Sequence, residues 1–266
     1  MAQLIKINQC VSRYQVDLRC YANRFTWLKK KRMEEWKERW ENRLDIKNRT
    51  QQDDKYNKPL KIEFGNWMFE KQLDWSTRTA FEWSIRPDKI HAELWLRRIL
   101  EGINDVSFFM YQPVLLTKSG PVQLDSVLIT NDIICCVHPL KGEPGNVFRN
   151  VTQRKWCEMT NGVMRPLISP LISLRRTKAV VSAFLKSHDL ASMKIEAAVY
   201  APECYIEQTM SNYEADFIDR RNERDWFIRL DQHSLLMKRE QLEAAELLLK
   251  HSETIADPRN ADQNAF

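Results

Sequence analysis

Residues 21 to 48, YANRFTWLKKKRMEEWKERWENRLDIKN, contain neither glycine nor proline, and Met33, Trp36, Trp40 and Leu44 recur at three- and four-residue steps. That period predicts one long amphipathic helix. The polar run RTQQDDKYNKP that follows ends in Pro59 and reads as a linker. Residues 61 to 86 are rich in aromatics without a clean period, and are expected to cover the core rather than form it. The next pattern is sharp: Ala92, Trp95, Leu96, Ile99, Leu100 and Ile103 line one helical face. Asp88 near its start and Gly102 at its end predict a helix over 88–101.

Three apolar stretches then predict strands at 106–116, 122–130 and 133–138, separated by TKSG and ND. Asn161-Gly162, a pair that accepts positive φ at both central turn positions, predicts a further hairpin. Ser169-Pro170 opens a helix to about Ser187, with Leu171, Leu174, Val181, Phe184 and Leu185 inward. MKIEAAVY (193–200) is a buried strand, EADFIDRRNERDWFIRL a strand and helix, and SLLMKREQLEAAELLLKHSE a last helix. The alternation predicts an α/β fold, a three-layer sandwich around a mixed sheet. The expected division is a basic helical N-terminal extension and linker (1–58), the α/β domain (59–220, core 88–200), C-terminal helices (221–252) and a disordered tail (253–266).

Composition adds a few exclusions. With 266 residues, 43% of them hydrophobic, the chain can bury a substantial core. The longest apolar run is too short to cross a bilayer, and MAQLIKINQ lacks a signal peptide's apolar region, so a cytoplasmic protein without membrane contact is expected. The six cysteines form no CxxC pair; reduced structural thiols are expected, and no zinc site. There is no Walker loop, GxSxG, HExxH or GxGxxG.

Charge changes the picture more. Between Tyr21 and Thr50 ten basic residues face five acids, which accounts for the whole net charge of +5. Any attraction to nucleic acid is thereby concentrated in the first helix, where Lys29, Lys30, Lys31, Arg32, Lys37, Arg39 and Arg43 could meet phosphates. Trp27, Trp36 and Trp40 could stack on bases or pack inward. The same helix allows i, i+4 pairs such as Lys31 with Glu35, so a solvated structural or docking face is the competing reading.

The stretch QLDSVLITNDIICCVHPL carries a resemblance. Residues 88–200 resemble a bacterial nuclease-related domain (NERD), a restriction-endonuclease-like (PD-(D/E)xK) fold, in which the second strand reads roughly Glu-Ile-Asp-His-Val-Leu-Ile and the third ends in Glu-x-Lys. In that register Asp125 keeps the central aspartate, while Gln123, His138 and Leu140 stand at the first acid, the second acid and the lysine. The resemblance implies Mg²⁺-assisted phosphodiester hydrolysis, which needs two or three carboxylates and a lysine. Here one anionic ligand, Asp125, would remain, so the expectation is a pseudoenzyme that binds nucleic acid, with no cofactor. Strand alternation places Gln123 beside Asp125 and His138 beside Leu140; Lys141 falls one residue late, and Glu143 and Glu93 read as solvated residues.

Two alternatives stay open. One is an active nuclease with a rearranged site of Asp125, Lys141 and Glu143, using Mg²⁺ or Mn²⁺. The other is a non-catalytic scaffold that docks a protein partner or forms a homodimer through its terminal helices.

Overall fold

The computed structural model describes residues 1–44, 53–190, 192–208, 214–232 and 236–259. The chain begins with β1 (Gln3–Ile7), α1 (Leu18–Leu44), α2 (Asp53–Trp75), β2 (Glu82–Trp83) and α3 (Leu94–Gly102). Next come β3 (Phe108–Tyr111), β4 (Val114–Thr117), β5 (Gly120–Gln123), β6 (Ser126–Ile129) and β7 (Ile133–Pro139). They are followed by β8 (Val147–Asn150), β9 (Lys155–Thr160), β10 (Val163–Ile168), α4 (Pro170–Lys186) and β11 (Lys194–Ala201). The chain closes with β12 (Tyr205–Glu207), β13 (Asp216–Asp219), α5 (Glu223–Asp231), α6 (Arg239–Lys250) and β14 (Asp257–Pro258).

The central sheet is six-stranded, in the order β1-β3-β6-β7-β11-β13. β6 runs antiparallel to both its neighbours, β3 and β7, whereas β1 runs parallel to β3, and β11 runs parallel to both β7 and β13. Alternation in β3 divides the core: Phe109 and Tyr111 face a cluster with Phe69 and Leu73 of α2, Trp95, Leu96 and Ile99 of α3, and Trp226 of α5. Phe108 and Met110 face the other side, against Leu18 and Ala22 of α1, Val181 and Leu185 of α4, and Ala244 and Leu248 of α6. Helices therefore cover both faces, and the fold is mixed α/β in three layers. A second sheet, β10-β9-β8-β12, packs Phe148 and Trp156 beside Leu171, Leu174 and Phe217 at one end of the central sheet.

Several local expectations hold. β7 is buried from Ile134 to Val137, as an apolar strand flanked by neighbours on both sides requires. Asn161 and Gly162 turn β9 into β10 with φ of 50° and 81°. The five residues placed on the inner face of α4 are all buried.

Others need correction. The N-terminal segment is no extension: β1, buried at every residue, is an edge strand of the central sheet, and α1 and α6 supply part of its core. The expected linker is in part helical, since α2 begins at Asp53 and runs through Pro59, which removes one backbone bond without ending the helix. Residues of 61–86 build core, with Phe64 and Met68 packing on Phe25, and Phe69 and Leu73 on the sheet. The helix expected from 88 starts at Leu94, because Lys89 takes a left-handed φ of 61° and a short 3₁₀ turn intervenes. Gly102 ends α3 for a packing reason as well: a Cβ there would stand 2.4 Å from Cε2 of Phe227.

The strands expected at 106–116 and 122–130 are each broken in two. Gln112, at φ 43°, and Pro113 separate β3 from β4, and Leu124-Asp125 separate β5 from β6, so that β4 and β5 form their own hairpin. The tail expected to be disordered is placed from 253 to 259. Glu253, Ile255 and Arg259 donate backbone hydrogen bonds to Val114, Gln9 and Phe81 at 2.7–2.8 Å, and β14 pairs with β2. The fully buried Lys6 ammonium anchors this strap, donating to Thr254 Oγ1 at 2.8 Å, Cys10 O at 2.7 Å and Gln15 Oε1 at 3.3 Å. Burial lowers its pKa from 10.5 to about 8, against the opposing pull of Cys10 and Glu253.

Candidate functional site

Asp125 sits where the chain enters the central sheet at β6, and His138 near the end of β7, the adjacent antiparallel strand. The pairing of Ser126 with Val137 brings the two residues to the same end of neighbouring strands. Asp125 Oδ1 lies 2.7 Å from His138 Nδ1. The other carboxylate oxygen accepts from Thr177 Oγ1 at 2.9 Å, and the same hydroxyl oxygen accepts from the Asp125 backbone N–H at 2.9 Å. Asp125 is 8% exposed and Thr177 fully buried, while the His138 side chain keeps 30% of its surface. The carboxylate is thus oriented from below by α4 and presents an imidazole at the rim.

Around this pair the α4 face is partly cationic. Arg176 donates through Nη2 to the Gln123 carbonyl at 3.2 Å, and Lys178 follows Thr177. Cys136, two residues before His138, has its thiol pushed up to about 12, chiefly by burial; Asp125 adds to the rise and Lys178 opposes it.

Leu140, at the position of the lysine in the resemblance, is buried with Cys136, Phe148 and Cys204. β7 ends at Pro139, between His138 and Leu140. Gln123 does not stand beside Asp125 as a site residue: it is exposed at the end of β5, because alternation does not carry across the break at Leu124-Asp125. Lys141 is joined to Glu93, which precedes α3, and the second oxygen of Glu93 accepts from Trp95 Nε1 at 2.5 Å. Glu93 is therefore not a solvated residue. Trp95 in turn stacks on Tyr111 at 5.7 Å, whose hydroxyl pKa rises to about 12 through burial and Glu93. Glu143 is exposed in the following turn, and its carbonyl accepts from the Cys204 thiol at 3.4 Å.

Among the described residues, no group of three His, Cys, Asp or Glu side chains is placed to hold a metal ion. The donor set agrees with the geometry: both oxygens of Asp125 already have partners, and its neighbour is an imidazole, a poor ligand for Mg²⁺. These residues do not fit the ion that the resemblance implies.

The cations of α1 divide into engaged and outward-facing ones. Lys29 pairs with Asp105 at 3.0 Å, and Arg32 with Glu35 at 2.5 Å rather than the pairing expected between Lys31 and Glu35. Trp36 packs on Phe64 and Trp67. Lys30, Lys31, Lys37 and Arg39 are exposed, and the Lys31 ammonium lies 5.0 Å from the centroid of Trp27, a ring residue 61% exposed. The side chains of Trp40 and Arg43 lie outside the described residues.

Thr177 was missed by the sequence reading, although it carried a signal. It is the one polar residue on the buried stripe Leu174, Thr177, Val181, Phe184.

No family model, no curated protein and no solved structure matches the chain. No helix among the described residues is long and apolar enough to cross a membrane.

Proposed function

We propose that the chain is a nuclease-related-domain protein on a restriction-endonuclease-like frame, which has lost metal-dependent cleavage and acts by binding nucleic acid. The element order α3-β3-β6-β7-α4-β11, with three antiparallel strands and a parallel fourth, supports that frame. Loss of the metal reaction is supported by Asp125 bound to His138 where a second acid is wanted, and by Leu140 buried where the lysine is wanted.

The observation that carries binding is the outer face of α1. Trp27 is a large ring left mostly in water with a lysine over it, and Arg24, Lys30, Lys31, Lys37 and Arg39 are exposed along the same helix, five cations against the two exposed acids Glu34 and Glu38. A base can stack on such a ring while lysines meet the flanking phosphates. The scaffold reading is less well supported, since α1 and α6 already spend apolar faces on the sheet.

Fluorescence anisotropy with labelled single- and double-stranded DNA and RNA, in EDTA across a salt series, tests the proposal. Affinity should fall steeply as salt rises, and Lys30→Glu with Lys31→Glu should flatten the slope by about one unit for each phosphate that the protein no longer neutralises. Trp27→Ala should weaken single-strand binding by about 5- to 150-fold, the equivalent of ~1–3 kcal/mol per stacked base. Absence of binding, or binding indifferent to salt, would refute it.

A further inference from the structure

A carboxylate bonded to one imidazole nitrogen fixes the ring's tautomer, and the lone pair then belongs to the other nitrogen. Asp125 holds His138 in this way through Nδ1, at 2.7 Å. Asp125 cannot rotate away, because Thr177 engages both its side chain and its backbone N–H at 2.9 Å. Nε2 is left as the basic atom of a side chain that reaches solvent. A structural histidine needs only a partner; this one has an oriented partner that is itself buttressed, which is the arrangement of a general base.

The surroundings indicate what would approach it. Arg176 and Lys178 flank Thr177 on α4. Arg176 is held at the carbonyl of Gln123, two residues before Asp125. The helix that supports the dyad therefore carries a cation on either side of Thr177 in sequence.

We propose that His138 is the general base of a metal-independent cleavage of RNA, oriented by Asp125 and Thr177, with Arg176 and Lys178 receiving the phosphate. The proposal rests on the nucleic-acid reading and goes beyond it. RNA is favoured over DNA by the chemistry of the nucleophile. A 2′-hydroxyl already lies beside the phosphorus, and such intramolecular attack is worth an effective concentration of about 10⁵–10⁸ M. Removing its proton is then a task within the reach of one imidazole, whereas DNA offers no such internal group.

In the step, Nε2 takes the 2′-hydroxyl proton, the O2′–P bond forms and the P–O5′ bond breaks. The 5′-oxygen leaves with the electron pair and takes a proton from water. The hydroxide so formed is neutralised by the imidazolium, which returns His138 to its starting state. The products are a 2′,3′-cyclic phosphate and a 5′-hydroxyl.

The test uses the full chain in EDTA with an end-labelled single-stranded RNA, its 2′-O-methyl analogue and DNA of the same sequence. RNA should be cut to cyclic-phosphate ends, while both analogues stay intact. His138→Gln should slow cleavage by about 10²- to 10⁴-fold, the usual contribution of a general base. Asp125→Asn should slow it at least tenfold while retaining RNA affinity, with folding of both variants verified by circular dichroism. RNA bound but uncut in EDTA would overturn this inference and leave the binding proposal standing. So would cleavage equal in His138→Gln, cleavage of the 2′-O-methyl strand, or cleavage only with Mn²⁺ that leaves 5′-phosphates. RNA left unbound while DNA binds would overturn this inference alone, and failure of both to bind would overturn both.

Discussion

Replacing Thr177 by valine tests the central geometric claim, because valine keeps the volume of the side chain and removes only the hydroxyl. That hydroxyl is fully buried and makes two contacts of 2.9 Å, accepting from Asp125 N–H and donating to Asp125 Oδ2. Valine would leave a donor and a carboxylate oxygen without partners beside an apolar stripe. Each unsatisfied buried group costs roughly 1–3 kcal/mol, so a loss of about 3 kcal/mol is expected. For a chain of this size each kcal/mol moves Tm by about 2–4 °C, so the expected fall is about 6–12 °C. Urea unfolding followed by circular dichroism measures the loss directly, as a change in midpoint at constant slope. Thr177→Ser, which keeps the hydroxyl and drops a methyl, should cost only about 1 kcal/mol. A cycle with Asp125→Asn should show coupling of at least ~0.5 kcal/mol, since the residues touch. Valine no more disruptive than serine would refute the claim that Thr177 holds the carboxylate.

Two further outcomes follow from buried polar groups elsewhere. Between about pH 8, where folded Lys6 titrates, and its ordinary 10.5, the unfolded chain holds a proton that the folded chain has released, so the Lys6 contribution to stability rises with pH. The gain is roughly 3 kcal/mol at 1.36 per unit, read as the stability of the native chain minus that of Lys6→Met. The subtraction is needed because Cys10 and Cys204, raised by burial from 9 to about 11, pull the other way above pH 9; a flat difference would be the failing result. Glu223→Ala should destabilise by about 2–4 kcal/mol, because the carboxylate accepts from buried Tyr200 and from Arg98 at 3.1 and 2.6 Å. Glu223→Gln, which still offers Tyr200 an oxygen, should lose less than half of that; equal losses in a denaturant titration would exclude the assigned pairing.

The chain's own pattern determined much of the element order. α4 was legible because its inward residues repeat with the helix, and the β9–β10 turn because Asn161-Gly162 tolerates positive φ. Both are properties of a residue and its near neighbours.

What stayed hidden depended on distance along the chain. The breaks at Gln112 and at Leu124-Asp125 interrupt runs of apolar residues that carry no period change, and with them went the placement of Gln123. β1 joins β3 across about a hundred residues, and Thr254 meets Lys6 across nearly the whole chain. Sequence reading marked Asp125 and His138 as candidates, yet their bond spans 13 residues and the Thr177 hydroxyl that completes it comes from 52 residues away. Local chemistry names which side chains can donate, accept or carry charge. Only the packing of α4 on the sheet decides which of them meet, because a buried polar group takes whichever partner the tertiary fold brings within hydrogen-bond reach.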